Sequence, residues 1–374
     1  MGLSSETSFG FGHEEVKLGE FVLAVVRRPW IGRCLPVMSR SAGAVAVAFP
    51  ALKTVAWREL ANKLDAFAGF HRTAFQGAEQ GSFAAQVQEA CSLGARSLWA
   101  LEGVAYSHAA AACRAGAWPR GLLAAESTSP LPDRALGPLH TGMGLALAIH
   151  WLRSEPGADP HGFAALCAES SRDGLAPAAF EGLGFAARLV FPHRLLPLDA
   201  ALAGMGPEAC ALFWHGVGRG SYFALSRALP RSKSTWKAAG EALTTPPHEL
   251  GRKNALAGLA WALTAVNLRH PEVLESFLAR CQDHFGHELP REASFAHGVA
   301  AAIRVWLGVV GRDGTLDAFL LHRPQPSGSA LARAWDRLVL ASCVGAMEKR
   351  AAPSREMRLA ELFRCPVDPV AAQA

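Results

Sequence analysis

Two kinds of segment alternate along the chain. Long Ala-rich apolar runs such as 144–152 and 298–307 contain good helix formers, no Pro and no two-residue alternation, which predicts helices. Between them lie shorter pieces, Pro160–Ser170, Leu198–Met205, Ser234–Leu243 and Pro271–His284, with polar residues on one helical face. Pro- and Gly-rich stretches, among them Pro246-Pro247 and Glu155-Pro-Gly, separate the pieces and predict helix stops. The apolar runs are hydrophobic around most of their circumference and belong inside. The amphipathic pieces face solvent on one side.

A recurring glycine gives this alternation a period. Gly69, Gly103, Gly142, Gly182, Gly216, Gly258 and Gly298 open or interrupt the apolar runs, at spacings of 34, 39, 40, 34, 42 and 40 residues. That is the length of one helix pair in helical repeat families. The expected fold is therefore all-α, with helical-hairpin repeats of 34–42 residues stacked into an α/α toroid or a tightly curled superhelix. A glycine inside a helix costs about 1 kcal/mol relative to alanine, so its return at one repeat position predicts a backbone contact or a helix start that no side chain would fit. Residues 1–60 read as an N-terminal segment, 61–310 as the repeat domain, and 311–374 as a C-terminal cap helix, Ala330–Lys349, with a polar tail holding no site.

Composition narrows the function classes. Lys and Arg number 37 against 32 Asp and Glu, and the excess of +5 is spread along the chain, which argues against nucleic acid as a partner. Half the residues are hydrophobic, yet the longest apolar stretches are broken by His, Thr or Asn, and no transmembrane segment is expected. The first twenty residues carry Glu6, Glu14 and Glu15 and lack the basic start and apolar core of a signal peptide. The eight cysteines never approach a C-x-x-C spacing and sit among Ala and Leu, so they read as core residues in a reducing cytoplasm. No Walker A, G-x-S-x-G or H-E-x-x-H motif occurs, and Gly216 and Gly218 form no dinucleotide fingerprint because no strand precedes them. No cofactor is expected.

Candidate chemistry collects at one register. The residues just before the recurring glycines include Glu102, Glu181, His215 and His297, with His140 one place earlier than Thr141. In a ring of inner helices, equivalent positions point to a common place, where carboxylates and imidazoles shift one another's pKa values and serve as general acids and bases. These four are the candidate catalytic residues. The alternative is that each polar group caps its own helix, which suits the carboxylates better than the histidines. A metal held by His140, His215, His297 and a Glu has no local spacing signature, so none is assigned. Arg219 interrupts an apolar helix and must either pair with a carboxylate such as Glu181 or bind an anionic group of a ligand. With His140, the two tyrosines Tyr106 and Tyr222, and Trp214 and Phe185, it makes up the candidate substrate-binding set. Trp151, Phe223, Trp261 and Trp306 extend an expected aromatic wall. The densest basic patch, Arg227, Arg231, Lys233 and Lys237 around Trp236, reads as a solvated linker or as a dock for an acidic partner such as a carrier protein.

In order, the pieces 100–106, 139–146, 181–185, 216–223, 257–260 and 297–304 resemble the UnbL-like bacterial family of unknown function, found in enediyne polyketide gene clusters. The segment 6–11 resembles that family's N-terminal stretch, and His215 stands where the family tends to carry an amide. The resemblance implies a role in natural-product biosynthesis involving a long unsaturated polyketide. Two classes of function follow. One is an enzyme that moves protons on a hydrophobic or carrier-bound polyene intermediate, a cyclase or isomerase without a cofactor. The other is a non-catalytic protein that shields the intermediate or joins pathway enzymes.

Overall fold

The computed structural model describes residues 29–48, 54–76, 81–115, 119–124, 131–154, 159–224, 234–285, 292–351 and 362–365. Among them there is no strand; the fold is all-α. The expectations for Met1–Glu20 and for Arg227, Arg231 and Lys233 lie outside the described residues.

The glycine-bearing runs form long buried helices: α2 (Thr54–His71), α4 (Ser97–Arg114), α5 (Asp133–Ser154), α7 (Ala178–Val190), α9 (Pro207–Phe223), α11 (Glu249–Asn267) and α13 (Glu292–Val309). Each packs on the next in that order. α1 (Pro29–Ala48) lies against α2. Shorter helices connect them: α3 (Phe83–Cys91), α6 (Pro160–Ser170), α8 (Leu195–Ala203), α10 (Ser234–Thr244) and α12 (Pro271–Phe285). The last four match the amphipathic pieces of the sequence to within three residues. α14 (Gly314–Leu321) and α15 (Ala330–Trp335) follow, and a π-helical stretch, Asp336–Leu340, leads into α16 (Ala341–Ala351). Residue 60 falls within α2 and residue 310 just past α13.

The recurring glycines sit inside the helices, at the points where neighbours cross. A Cβ on Gly142 would meet the Glu102 carbonyl, one on Gly216 the Glu181 carbonyl, one on Gly258 the His215 carbonyl and one on Gly298 the Ala257 carbonyl, all inside 3.0 Å. In each case the carbonyl belongs to the residue just before the previous glycine of the series. The second glycine of each Gly-x-Gly faces the other way, because residues two apart in a helix point to nearly opposite sides. Gly144 lies against Ala179 of α7, Gly184 against Phe213 of α9 and Gly218 against Ala255 of α11. Backbone therefore touches backbone on both sides of α5, α7 and α9. The contacts of Glu181 with Gly216, Gly184 with Val217 and Arg188 with Gly220 advance together along α7 and α9, so these two helices run parallel.

Early and late helices also meet. Arg58 of α2 pairs with Glu272 of α12 at 2.6 Å, and Asn62 donates to Asn267 Oδ1 of α11 at 2.9 Å. Trp99 of α4 packs edge-on against Trp261 of α11, with ring centroids 6.0 Å apart. One core of buried residues runs through the helices from α2 to α16. No helix among the described residues is long and apolar enough to cross a membrane. All eight cysteines are unpaired, and Cys113, Cys167, Cys210, Cys281, Cys343 and Cys365 are buried.

Candidate functional site

Glu102 of α4, Glu181 of α7 and His215 with Arg219 of α9 come together inside the molecule. The Arg219 guanidinium donates from Nη2 to Glu102 Oε2 and from Nη1 to Glu181 Oε2, the latter at 3.0 Å. His215 Nδ1 stands 3.6 Å from Glu181 Oε1, an electrostatic contact too long for a hydrogen bond. None of these side chains is more than 4% exposed. They meet because the glycine crossings let α4, α5, α7 and α9 approach closely. Thr141, at the same register of α5, turns its hydroxyl to the Gly137 carbonyl instead.

Protonation follows from the charge count. One guanidinium neutralises one carboxylate, and a second ionised carboxylate in the same dry place is disfavoured. Burial works to raise the Glu181 pKa, but Arg219 and then His215 outweigh it and hold the group below its ordinary value. Burial pushes Glu102 up to about 7, against the attraction of Arg219 and helped by repulsion from Glu181. Burial lowers the His215 pKa despite Glu181 beside it, so the imidazole is neutral. Burial alone would lower the Arg219 pKa, yet Glu102 and Glu181 raise it, and its charge is permanent. Near neutral pH the cluster holds one carboxylate, one guanidinium, a neutral imidazole and a carboxyl close to its own titration point.

Aromatic rings surround the guanidinium. Phe185 lies 4.7 Å from it, Trp261 5.1 Å and Trp99 5.8 Å, distances at which a ring face attracts a cation. Phe223 packs on both Trp99 and Phe185. Phe363, from the short segment 362–365, stacks on the His215 ring at 4.6 Å and meets Trp261 edge-on. Several polar atoms here have no hydrogen-bond partner among the described residues: Glu181 Oε1, both ring nitrogens of His215, Arg219 Nε and Trp261 Nε1. Buried polar groups nearly always find partners, so this concentration at one place makes the cluster the candidate site.

The other residues singled out in the sequence lie elsewhere. His140 places Nδ1 2.7 Å from the Leu136 carbonyl, and its Nε2 accepts the Arg172 backbone N–H at 3.1 Å. Burial drops its pKa to about 4. Both ring nitrogens serve the backbone, tying α5 to the turn after α6. His297 is half-buried on α13. Trp214 donates from Nε1 to Asp199 at 2.6 Å. Trp151 packs on Phe163, and Trp306 donates to Asp313, so the wall expected from the sequence is only partly assembled around the cluster. Tyr106, one turn beyond Glu102, packs on Phe70 and Phe75.

Tyr222 belongs to a second buried network one turn beyond Arg219. Its hydroxyl accepts from Asn267 Nδ2 at 2.7 Å, and Lys63 Nζ lies 4.0 Å from its ring centroid. Lys63 pairs with Glu59 at 2.7 Å, and Thr235 also donates to Glu59. Burial, with Glu59 nearby, raises the phenol pKa well above its usual value, so Tyr222 stays neutral.

Asp199, Cys210 and His248 bring one carboxylate, one thiol and one imidazole within 4.8 Å of one another, the donor types of a metal site. Their protons point to another use. His248 Nδ1 accepts the Gly251 backbone N–H at 2.9 Å, capping α11, so Nε2 carries the ring proton and gives it to Asp199 Oδ1 at 2.9 Å. Trp214 and the Cys210 thiol converge on the same oxygen. Burial raises the thiol pKa, with Asp199 adding to the effect. The three residues form a strut between α8, α9 and the start of α11.

Compared with protein-family models, curated proteins and solved structures, the chain matches none. The site thus rests on its own geometry. Of the residues that meet here, the sequence singled out Glu102, Glu181, His215, Arg219, Phe185, Phe223 and Trp261 but not Trp99 or Phe363. Trp99 sits three residues before Glu102, the spacing of one helical turn, and was open to notice. Phe363 carries no such signal.

Proposed function

We propose that this chain is a cofactor-independent acid–base enzyme, a cyclase or isomerase working on a long apolar unsaturated intermediate. The observation that carries the reading is the convergence of Glu102, Glu181, His215 and Arg219 in a ring-lined interior, with hydrogen-bonding atoms left without partners. A carboxyl that titrates near 7 is matched to proton donation at neutral pH, and a neutral imidazole to proton uptake. In this scheme the Glu102 carboxyl gives its proton to one carbon of the conjugated system, and His215 Nε2 takes a proton from another. Double bonds shift or a ring closes, no electrons leave the substrate, and the two groups re-equilibrate with solvent between turnovers. Glu181 and Arg219 hold the charges in place. Phe185, Trp99 and Trp261 offer faces to an apolar polyene and to a passing carbocation. The sequence resemblance to an enediyne-associated family is what suggests a polyketide as that intermediate.

The fold we propose for this work is a closed ring of helical hairpins, supported by the parallel glycine crossings and by the meeting of α2 with α11 and α12. The unpaired cysteines fit the reducing cytoplasm. The basic sequence 227–237, of which Trp236 and Lys237 lie on α10, suits an acidic partner such as a carrier protein.

A second reading is a non-catalytic protein that shields the intermediate or joins pathway enzymes. It is favoured by the near-complete burial of the cluster, in which both Nη atoms of Arg219 already hold carboxylates. The test replaces the gene in its source strain by one encoding Glu181→Gln, once circular dichroism and melting show the variant folded. Accumulation of an unrearranged precursor supports the enzyme. Persistence of product with Glu181→Gln, but not on gene deletion, supports shielding. Unchanged metabolites on deletion overturn both.

A further inference from the structure

The cluster is buried, yet a site must admit its ligand. Among the described residues, the group lying flat on His215 comes from none of the glycine-bearing helices. It is Phe363, in the segment 362–365 beyond α16. Leu362, Phe363 and Cys365 are each less than 5% exposed. The segment is anchored differently from the helices it covers. Its described polar ties include the Cys365 backbone N–H to Asn254 Oδ1 at 2.9 Å, the Cys365 thiol to the Lys253 carbonyl at 3.7 Å, and a side-chain contact of Cys365 with Ser294 of α13. Asn254 itself is held by α11, donating to the Leu250 carbonyl at 2.8 Å. The Phe363 ring also meets Trp261, whose Nε1 is one of the atoms without a partner.

We propose that residues 362–365 are a detachable plug over the Glu102–Glu181–His215–Arg219 site, and that the Phe363 ring occupies the place where a flat conjugated part of the ligand lies against His215. The inference deepens the acid–base reading and rests on it for the nature of the ligand. Three features carry it. Phe363 stacks on the imidazole with an interplanar angle of 24°, the arrangement a planar unsaturated group would adopt. Stacking covers the face of the ring and leaves Nε2, at its edge, without a partner among the described residues. Departure of the segment breaks the ring contacts and the ties to Lys253, Asn254 and Ser294, while the glycine crossings of α4 to α11 remain. Closure without ligand keeps water from the buried charges, and an arriving apolar chain replaces one ring by another.

The test reads access to His215 and needs no substrate. The full-length protein is treated with diethyl pyrocarbonate, which carbethoxylates neutral imidazole, and each histidine is followed by peptide mass mapping. His215 is expected to be protected in the wild type and labelled at least tenfold faster in Phe363→Ala and in Asn254→Ala, while buried His140 stays protected in all three as the control for folding. Hydrogen exchange on the wild type gives a second measurement independent of any variant: peptides covering 362–365 exchange faster than those of α11. Protection of His215 in both folded variants, or exchange of 362–365 only together with α11, overturns the plug. If His215 becomes accessible while Glu181→Gln leaves the metabolites unchanged, the plug stands and the acid–base reading falls.

Discussion

At the scale of single residues, the decisive arrangement is two buried carboxyl groups sharing one guanidinium. Glu102 keeps its proton to about pH 7 in the folded chain and to 4.5 in its ordinary state. Its contribution to stability is therefore full below 4.5 and fades as pH rises through 7. Glu102→Gln mimics the protonated form, so the stability of the wild type relative to this variant is expected to fall by on the order of 2–3 kcal/mol between pH 4.5 and 8. Urea melts at the two pH values check it, and a constant gap shows that Glu102 titrates as an ordinary carboxylate. Arg219 was legible as a residue that had to pair with something, since an arginine in an apolar helix cannot stand alone. That it takes two partners was not legible, because Glu102 lies on α4 and only the packing of four helices brings it within reach. The histidines show the limit of a register argument. His140 and His215 both sit by recurring glycines, yet one serves the backbone and the other joins the cluster.

At the scale of elements, the glycines explain why the helices pack as they do. A methyl group on Gly216 or Gly258 would run into the carbonyl of the residue before the previous glycine, and backbone cannot move aside as a flexible side chain can. Gly258→Ala is expected to destabilise the protein by more than about 2 kcal/mol through forced separation of α9 and α11. Gly240, inside α10, has nothing within 4 Å of its would-be Cβ. Gly240→Ala is expected to stabilise by about 0.5–1 kcal/mol, since alanine is the better helix former and meets no obstacle. Thermal melts of the two variants decide the matter, and a similar effect in both would remove the close-contact explanation. The amphipathic pieces were legible almost to the residue, because Pro at the first position and a polar face are local signals: Pro160–Ser170 and Pro271–Phe285 both begin on the proline.

At the scale of the whole molecule, the meeting of early and late helices should make it melt as one body rather than pair by pair. Asn62→Ala removes the bond from α2 to α11 and is expected to cost about 1 kcal/mol. Amide exchange should then quicken in both helices; quickening confined to α2 would show that the ends unfold independently. The sequence by itself determined the helical class, the spacing of the long helices and the identity of most of the polar groups in the cluster. These follow from helix propensity, the burial of apolar stripes and the cost of charge among apolar residues, all of which act over a few turns of one chain segment. The tertiary structure alone decided which groups meet, which histidines keep free nitrogens, and that Phe363 covers His215. Those outcomes depend on how helices far apart in the chain cross, and a crossing is fixed by backbone contacts that no local pattern records.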